Sequence, residues 1–556
     1  MGRLALPRLA AALLFALSMP LWACHADLND PKGQAEELSD PVRREHAVGR
    51  LHSIFGARLA EAKGDRNDAK IKEFNDVAHD NMTKVYIEHP EDAQNGLRIL
   101  QLMAEMRDER TLPALLKALE WQAEVTEDHA VMAARTLTEI PVADDKKGEI
   151  VKKICDALKR VDGARGVDNR MRKSFIEVLG KLGDKRATET LVEIALNQSE
   201  SQNFLFNKLA AQQLAKIQDP AAVEPMVKAL YMFDLQMPAM RMMEDAESVL
   251  VSVGKPALEP LMKAARGENK EVNKLVELSI ESFRRKDQDL ANSMNKDALV
   301  AREAVLTLGR LGFRESLELL MEEARNEHPD RRATAALAMT SINRTPEDTA
   351  KVVEVMKEVY EKSDKQARPQ LLVAFRHLYS DDVMEFLHEV AKTTETELPP
   401  VQMYGFVSYA LLADKAESKN LPPILEKEEL IKPQIKDYEV VIKVAEECDR
   451  NVKCWVGKLK DKDKIILRKA SSMLARIGGG ESDAAIKGLL ELLEHGDLEV
   501  RNEALSAIDH LAVKGSKDAV AKIDELQAKE EGRSIWTNFS REALPTRSRL
   551  VTRTGG

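Results

Sequence analysis

Asp497-Leu498-Glu499-Val500-Arg501-Asn502-Glu503-Ala504-Leu505-Ser506-Ala507-Ile508 is the stretch on which the fold turns. Ala504, Ile508 and the following Leu511 fall at i, i+4 and i+7, one stripe of a helix, and the small Ala504 allows a second helix to cross closely. The same arrangement closes on Ile54, Met106, Ile140, Leu182, Ile217, Val253, Leu311, Ile342, Leu378, Leu412 and Ile477, at intervals of about 34 to 36 positions where the spacing is regular. Seven residues before these anchors the side chain is usually small, as at Ala47, Ala133, Ala210, Ala246, Ala304, Ala335, Gly405 and Ala470. A short turn and a second apolar helix follow. Ile217 leads through Asp219-Pro220 to Val223, Met226, Val227 and Leu230, and an aspartate before proline suits a helix start. Each unit is an αα-hairpin, and a hairpin has no enclosed core of its own. Neighbouring units must therefore stack, which predicts an all-α solenoid.

The wording of the repeat narrows its kind. The 497–508 stretch resembles the HEAT-repeat signature, Asp-x-x-Val-Arg-x-x-Ala-x-x-Ala-Leu, and Ser39-Asp40-Pro41-Val42-Arg43 opens the first unit similarly. Leu179-Gly180-Lys181-Leu182-Gly183-Asp184 and Leu308-Gly309-Arg310-Leu311-Gly312 resemble the turn of the bacterial HEAT subclass shared with phycobilin lyases. The resemblance covers residues 38–530 and implies an armadillo/HEAT-like superhelix of about twelve recognisable units. It also implies a non-catalytic protein-interaction scaffold akin to bacterial HEAT-repeat lipoproteins. A phycobilin-lyase-like enzyme or small-molecule binder, and a self-assembling structural protein, are the alternatives. Long intervals mark extra helices or loops. Residues 267–295 carry Val272, Leu275, Leu278, Ile280 and Phe283 at helical spacing, an inserted helix or the third helix of an ordinary unit.

Charged residues make up 32% of the 556-residue chain and aromatics 4%, as expected where every helix keeps one wet face. At the N-terminus, Arg3 and Arg8 precede an apolar run from Leu9 to Leu21, too short to span a bilayer comfortably and typical of an export signal. Leu21-Trp22-Ala23-Cys24 resembles a lipoprotein box, which makes 1–23 a signal peptide, Cys24 the lipidated residue and 24–37 a linker; Trp22 departs from the usual residue. Cys24-His25-Ala26 offers the competing site for ordinary cleavage. The expected location is the periplasmic face of a membrane, the outer one because no aspartate follows Cys24, with a soluble periplasmic form as the alternative. Of the remaining cysteines, Cys155 sits at helical spacing among apolar neighbours. Cys448 and Cys454 flank a polar stretch, and either form a disulfide across a turn or stay free in the core. Such a short loop contributes about 2 kcal/mol at most.

The sequence holds no nucleophile elbow, Walker loop or dinucleotide glycine turn, and no ligand set for a metal or cofactor. No catalytic residue is assigned. Two segments could recognise a protein partner. Tyr231, Met232, Phe233, Met237, Met240 and Met243 form a thioether-rich stretch, either a pliable binding surface or core packing around a loop. The 531–556 tail, with five arginines from Arg533 onward against one glutamate, is expected to be disordered, or else to dock on an acidic surface through Trp536 and Phe539. A net charge of −10 without a basic stripe argues against nucleic acid.

Overall fold

Helix starts are fixed by side-chain acceptors. Asp497 takes hydrogen bonds from the backbone N–H groups of Glu499 (2.9 Å) and Val500 (3.3 Å) and so opens the helix Leu498–Leu511. Asp219 does the same for the 3₁₀ turn Pro220–Ala222, which leads into Val223–Ala229. Helix ends use left-handed residues, including Gly312 (φ 72°) after Lys296–Leu311, a conformation that glycine adopts without strain.

The computed structural model describes residues 28–121, 127–161, 166–199, 202–234, 237, 239–342, 344–392, 398–427, 431–478, 482–530 and 538–554. The chain divides into two compact units, the first through Ala187 and the second from Thr188. Among the described residues the architecture is helical, with one isolated β-bridge between Phe233 and Arg241.

In the first unit, Arg44–Glu61 pairs with Ala69–Glu88, Ala93–Met106 packs on Arg44–Glu61 and Glu127–Thr136, and Asp144–Lys159 packs against Gly166–Leu182. The Phe55 and Phe74 rings meet at 5.2 Å, with Leu51, Ile71 and Met82 buried around them. A short helix, Pro31–Glu37, precedes the predicted first unit and packs on both helices of the first pair.

In the second unit the leading helices of successive pairs lie side by side: Lys296–Leu311, Pro329–Met339, Arg368–Arg376, Pro399–Leu412, Lys464–Ile477 and Leu498–Leu511. Close crossing is literal at Gly309, where an added Cβ would lie 2.7 Å from the Ala338 Cα. The long interval before Leu311 is filled by Lys270–Arg284 and Gln288–Ser293, and the one before Ile477 by five short helices between Lys415 and Lys458.

The tail departs from expectation. Asn538–Arg553 is a helix packed against Lys517–Glu530, Leu498–Leu511, Met243–Val253 and Lys296–Leu311. Phe539, Ala543 and Leu550 are buried, and its arginines meet carboxylates: Arg547 on Asp524, and Arg549 on Asp509 at 2.6 Å. The basic composition that looked like a solvated tail is neutralised by acids placed on the preceding helices.

Candidate functional site

Lys296–Leu311, Pro329–Met339, Leu498–Leu511 and the closing helix Asn538–Arg553, with residues 340–349 and 377–382, line a chamber of about 910 Å³. Its wall includes His377, Leu378 and Tyr379 after one helix and Asn502, Leu505 and Ser506 on another. Beside these in sequence, Arg376 ends the first helix and Glu503 precedes Ala504 on the second. Both are buried, and Arg376 Nη2 donates to Glu503 Oε2 at 2.9 Å. Glu503 also accepts from Ser472 Oγ at 2.7 Å, and the Tyr379 hydroxyl donates to Ser506 Oγ at 3.0 Å. Burial alone would raise the Glu503 carboxyl. The Arg376 and Arg468 charges and the Ser472 bond outweigh it and hold the group below the ordinary carboxylate range.

A second knot joins the closing helix to the repeats. Asp509 lies 2.6 Å from Arg549 and 3.0 Å from Arg553, and these two arginines outweigh the burial that would otherwise raise its carboxyl. Arg549 Nη1 donates to the Arg310 carbonyl, while Arg310 itself pairs with Glu247 at 3.0 Å. Ser548 Oγ donates to the Val251 carbonyl at 2.6 Å, a bond spanning 297 residues of chain.

Between the knots lie Arg344, His377, His510 and Asn502. Arg344 Nη1 donates to the carbonyls of Met339 (2.6 Å), Thr340 (2.7 Å) and Ile342 (3.1 Å), the free end of the Pro329–Met339 helix, while its Nε has no hydrogen-bond partner. Burial pushes the Arg344 guanidinium down to about 10. Burial also pushes both imidazoles down to about 4, Arg376 adding to the effect on His377 and Arg344 to that on His510. Both rings are therefore neutral at pH 7. The His510 ring centroid lies 5.0 Å from that of Tyr379. The Asn502 amide oxygen is buried without a partner. Such a wall can bind and orient a polar guest, because its donors and acceptors are already fixed in place.

The residues singled out from sequence lie elsewhere. Tyr231, Met232 and Phe233 are buried, not surface: the Tyr231 hydroxyl donates to the Val300 carbonyl at 2.6 Å, so this aromatic end of the stretch is core. Met240 and Met243 are half-buried, and Met237 is 56% exposed, which leaves one thioether rather than a surface. Phe539 is 2% exposed and faces Arg501 within the molecule, its centroid 5.5 Å from the guanidinium carbon, so it is not free to dock elsewhere. Cys448, ending Glu439–Cys448, is bonded to Cys454 in Val452–Lys458 across a turn, with Cα atoms 5.3 Å apart. Cys155 is a free, buried thiol. Cys24 and Trp536 lie outside the described residues. The chamber itself was missed.

Residues 209–231 match the model of the PBS lyase HEAT-like repeat. No curated protein matches the chain. Among solved structures it is similar to Kap121p bound to Ste12p (12% identity, TM-score 0.42, 93% of this chain and 56% of that one). It is also similar to Kap95p in a structure with RanGDP (13%, 0.32, 95% and 66%) and to UNC-45 from Drosophila melanogaster (13%, 0.26, 95% and 83%). The chain thus spans little more than half the length of Kap121p. Residues 209–231 thus read as one PBS lyase HEAT-like repeat, and the described helices around them stack in pairs as a helical repeat does.

Proposed function

We propose that the protein is a non-catalytic protein-interaction scaffold of the bacterial cell envelope, exported and held at a membrane by acyl chains on Cys24. The observation that carries the scaffold reading is the build of the described chain. Pair after pair of helices buries one stripe and leaves the other face wet, which yields a long series of recognition surfaces on a rigid frame. The ionisable groups gathered in the second unit serve this frame. Arg376 pairs with Glu503, Arg549 with Asp509, and Arg344 closes a helix end. Two features support export: the Arg3–Leu21 signal pattern before Cys24, and the Cys448–Cys454 bond, which suits an oxidising compartment. Among the described residues no helix is long and apolar enough to cross a membrane, so attachment would fall to the N-terminal lipid.

The test is envelope fractionation of the native chain beside Cys24→Ala, followed by cross-linking and mass spectrometry. Native protein in the membrane fraction, an unprocessed variant and a captured protein partner are the expected results. Equal processing and solubility of both forms would remove the lipid anchor and favour a soluble periplasmic protein. Recovery of a bound pigment in place of a protein would favour the lyase-like alternative.

A further inference from the structure

One cation lining the chamber of the second unit has no ion pair among the described residues. Four guanidinium groups line it, those of Arg310, Arg344, Arg549 and Arg553, against three carboxylates, Asp382, Asp509 and Glu542.

The guanidinium without a carboxylate partner is that of Arg344. Arg310 has Glu247, and Arg549 and Arg553 share Asp509. The carboxylates whose charge reaches Arg344 are Asp509 and Asp348, and the second is bonded by Arg314 at 2.6 Å. Arg344 touches only main-chain carbonyls through Nη1, and its buried Nε points at no acceptor. A buried N–H without an acceptor is costly, and one that belongs to a cation is more so. The Asn502 amide oxygen, an unmet acceptor, borders the same space. The remaining wall mixes hydroxyls with apolar groups such as Ile342 and Leu505. A volume of about 910 Å³ lies within the range of small-molecule sites, roughly 300 to 1,000 Å³.

We propose that the chamber is a binding site for a small organic monocarboxylate that also carries a hydrogen-bond donor, its carboxylate on Arg344 and its donor on Asn502. A single negative charge matches the one guanidinium left without a carboxylate, whereas a phosphate, close to doubly charged at neutral pH, exceeds it. The Arg344 guanidinium supplies the planar N–H edge that a carboxylate fits. The proposal goes beyond the scaffold reading and stands or falls without it. Two sources share this chemistry, a free hydroxy acid and the carboxyl end of a peptide.

The experiment is isothermal titration of the purified full chain with three probes: lactate for the first source, N-acetyl-alanyl-alanine for the second, and inorganic phosphate as the control. Saturable binding of either carboxylate, and weaker binding of phosphate, is the expected result; the tighter of the two names the source. Arg344→Gln should bind it at least about 10-fold more weakly, the loss of one charge-assisted contact. Because Arg344 also closes a helix end, Asn502→Asp provides an independent reading. It keeps the side-chain shape, adds a negative charge to the chamber, and should abolish binding while the thermal transition stays in place. Absence of carboxylate binding at millimolar concentration, tighter binding of phosphate, or unchanged affinity in Asn502→Asp would overturn the proposal.

Discussion

Lys469 is 0% exposed, and its Nζ donates to the carbonyls of Ala410 and Ala413, each at 2.7 Å, at the end of Pro399–Leu412. A neutral amine has two N–H groups, enough for both carbonyls. Burial, helped by the nearby Arg476 charge, pushes this lysine down to about 7. The folded value lies below the unfolded one, so between them the unfolded chain binds the extra proton and stability rises with pH. Wild type should therefore gain on Lys469→Met by on the order of 1 kcal/mol per pH unit above pH 7. Urea unfolding of both proteins from pH 6 to pH 9 measures this, and a difference that stays flat with pH would refute it. Glu503 has the opposite sign. Its folded value is lowered, so its contribution is present above the unfolded value of about 4.3 and is lost as pH falls through the folded one. Glu503→Gln leaves Arg376 buried without its counter-charge and should cost about 3 kcal/mol at pH 7, read by the same unfolding assay.

At the scale of helices, the sequence stripe was legible because stacking demands it. Ala504, Ile508 and Leu511 are buried as their spacing requires, and the interval lengths located the inserted helices. Gly309 shows how strict the crossing is. An alanine there would gain roughly 1 kcal/mol of helix propensity. Its Cβ, however, would sit 2.7 Å from the Ala338 backbone, which cannot swing aside as a flexible side chain would. Overpacking should win, with a net loss of about 1–2 kcal/mol for Gly309→Ala and unchanged helical content by circular dichroism. A variant as stable as wild type would mean that the two helices can separate at little cost. The closing helix was not legible, for a physical reason. Its four-arginine composition looks solvated until Asp509 and Asp524, contributed by other helices, are known to face it. The buried Tyr231–Phe233 stretch was ambiguous for the converse reason, since an apolar run has the same composition whether it forms a surface or a core.

In a simple solenoid each repeat touches its neighbours, and stability sums along the chain. The second unit breaks that rule, because Ser548 and Arg549 reach Val251 and Arg310 across 297 and 239 residues. The chamber exists through these long-range contacts, so no local pattern announced it: Arg344, Asn502 and Asp509 each look like ordinary wet helix residues in sequence. Closure also couples repeats that share no neighbour. Leu550 is fully buried, and Leu550→Asp would place a charge where the closing helix meets the repeats, releasing that helix. Hydrogen exchange should then accelerate in Leu498–Leu511, its adjacent repeat, and equally in Met243–Val253 and Lys296–Leu311, far away in sequence but under the same helix. Exchange in Pro399–Leu412, which the helix does not bridge, should stay near the wild-type level. Acceleration confined to residues 498–530 would show that the early repeats keep their own stability, and the second unit would then be a row of neighbours rather than a closed body.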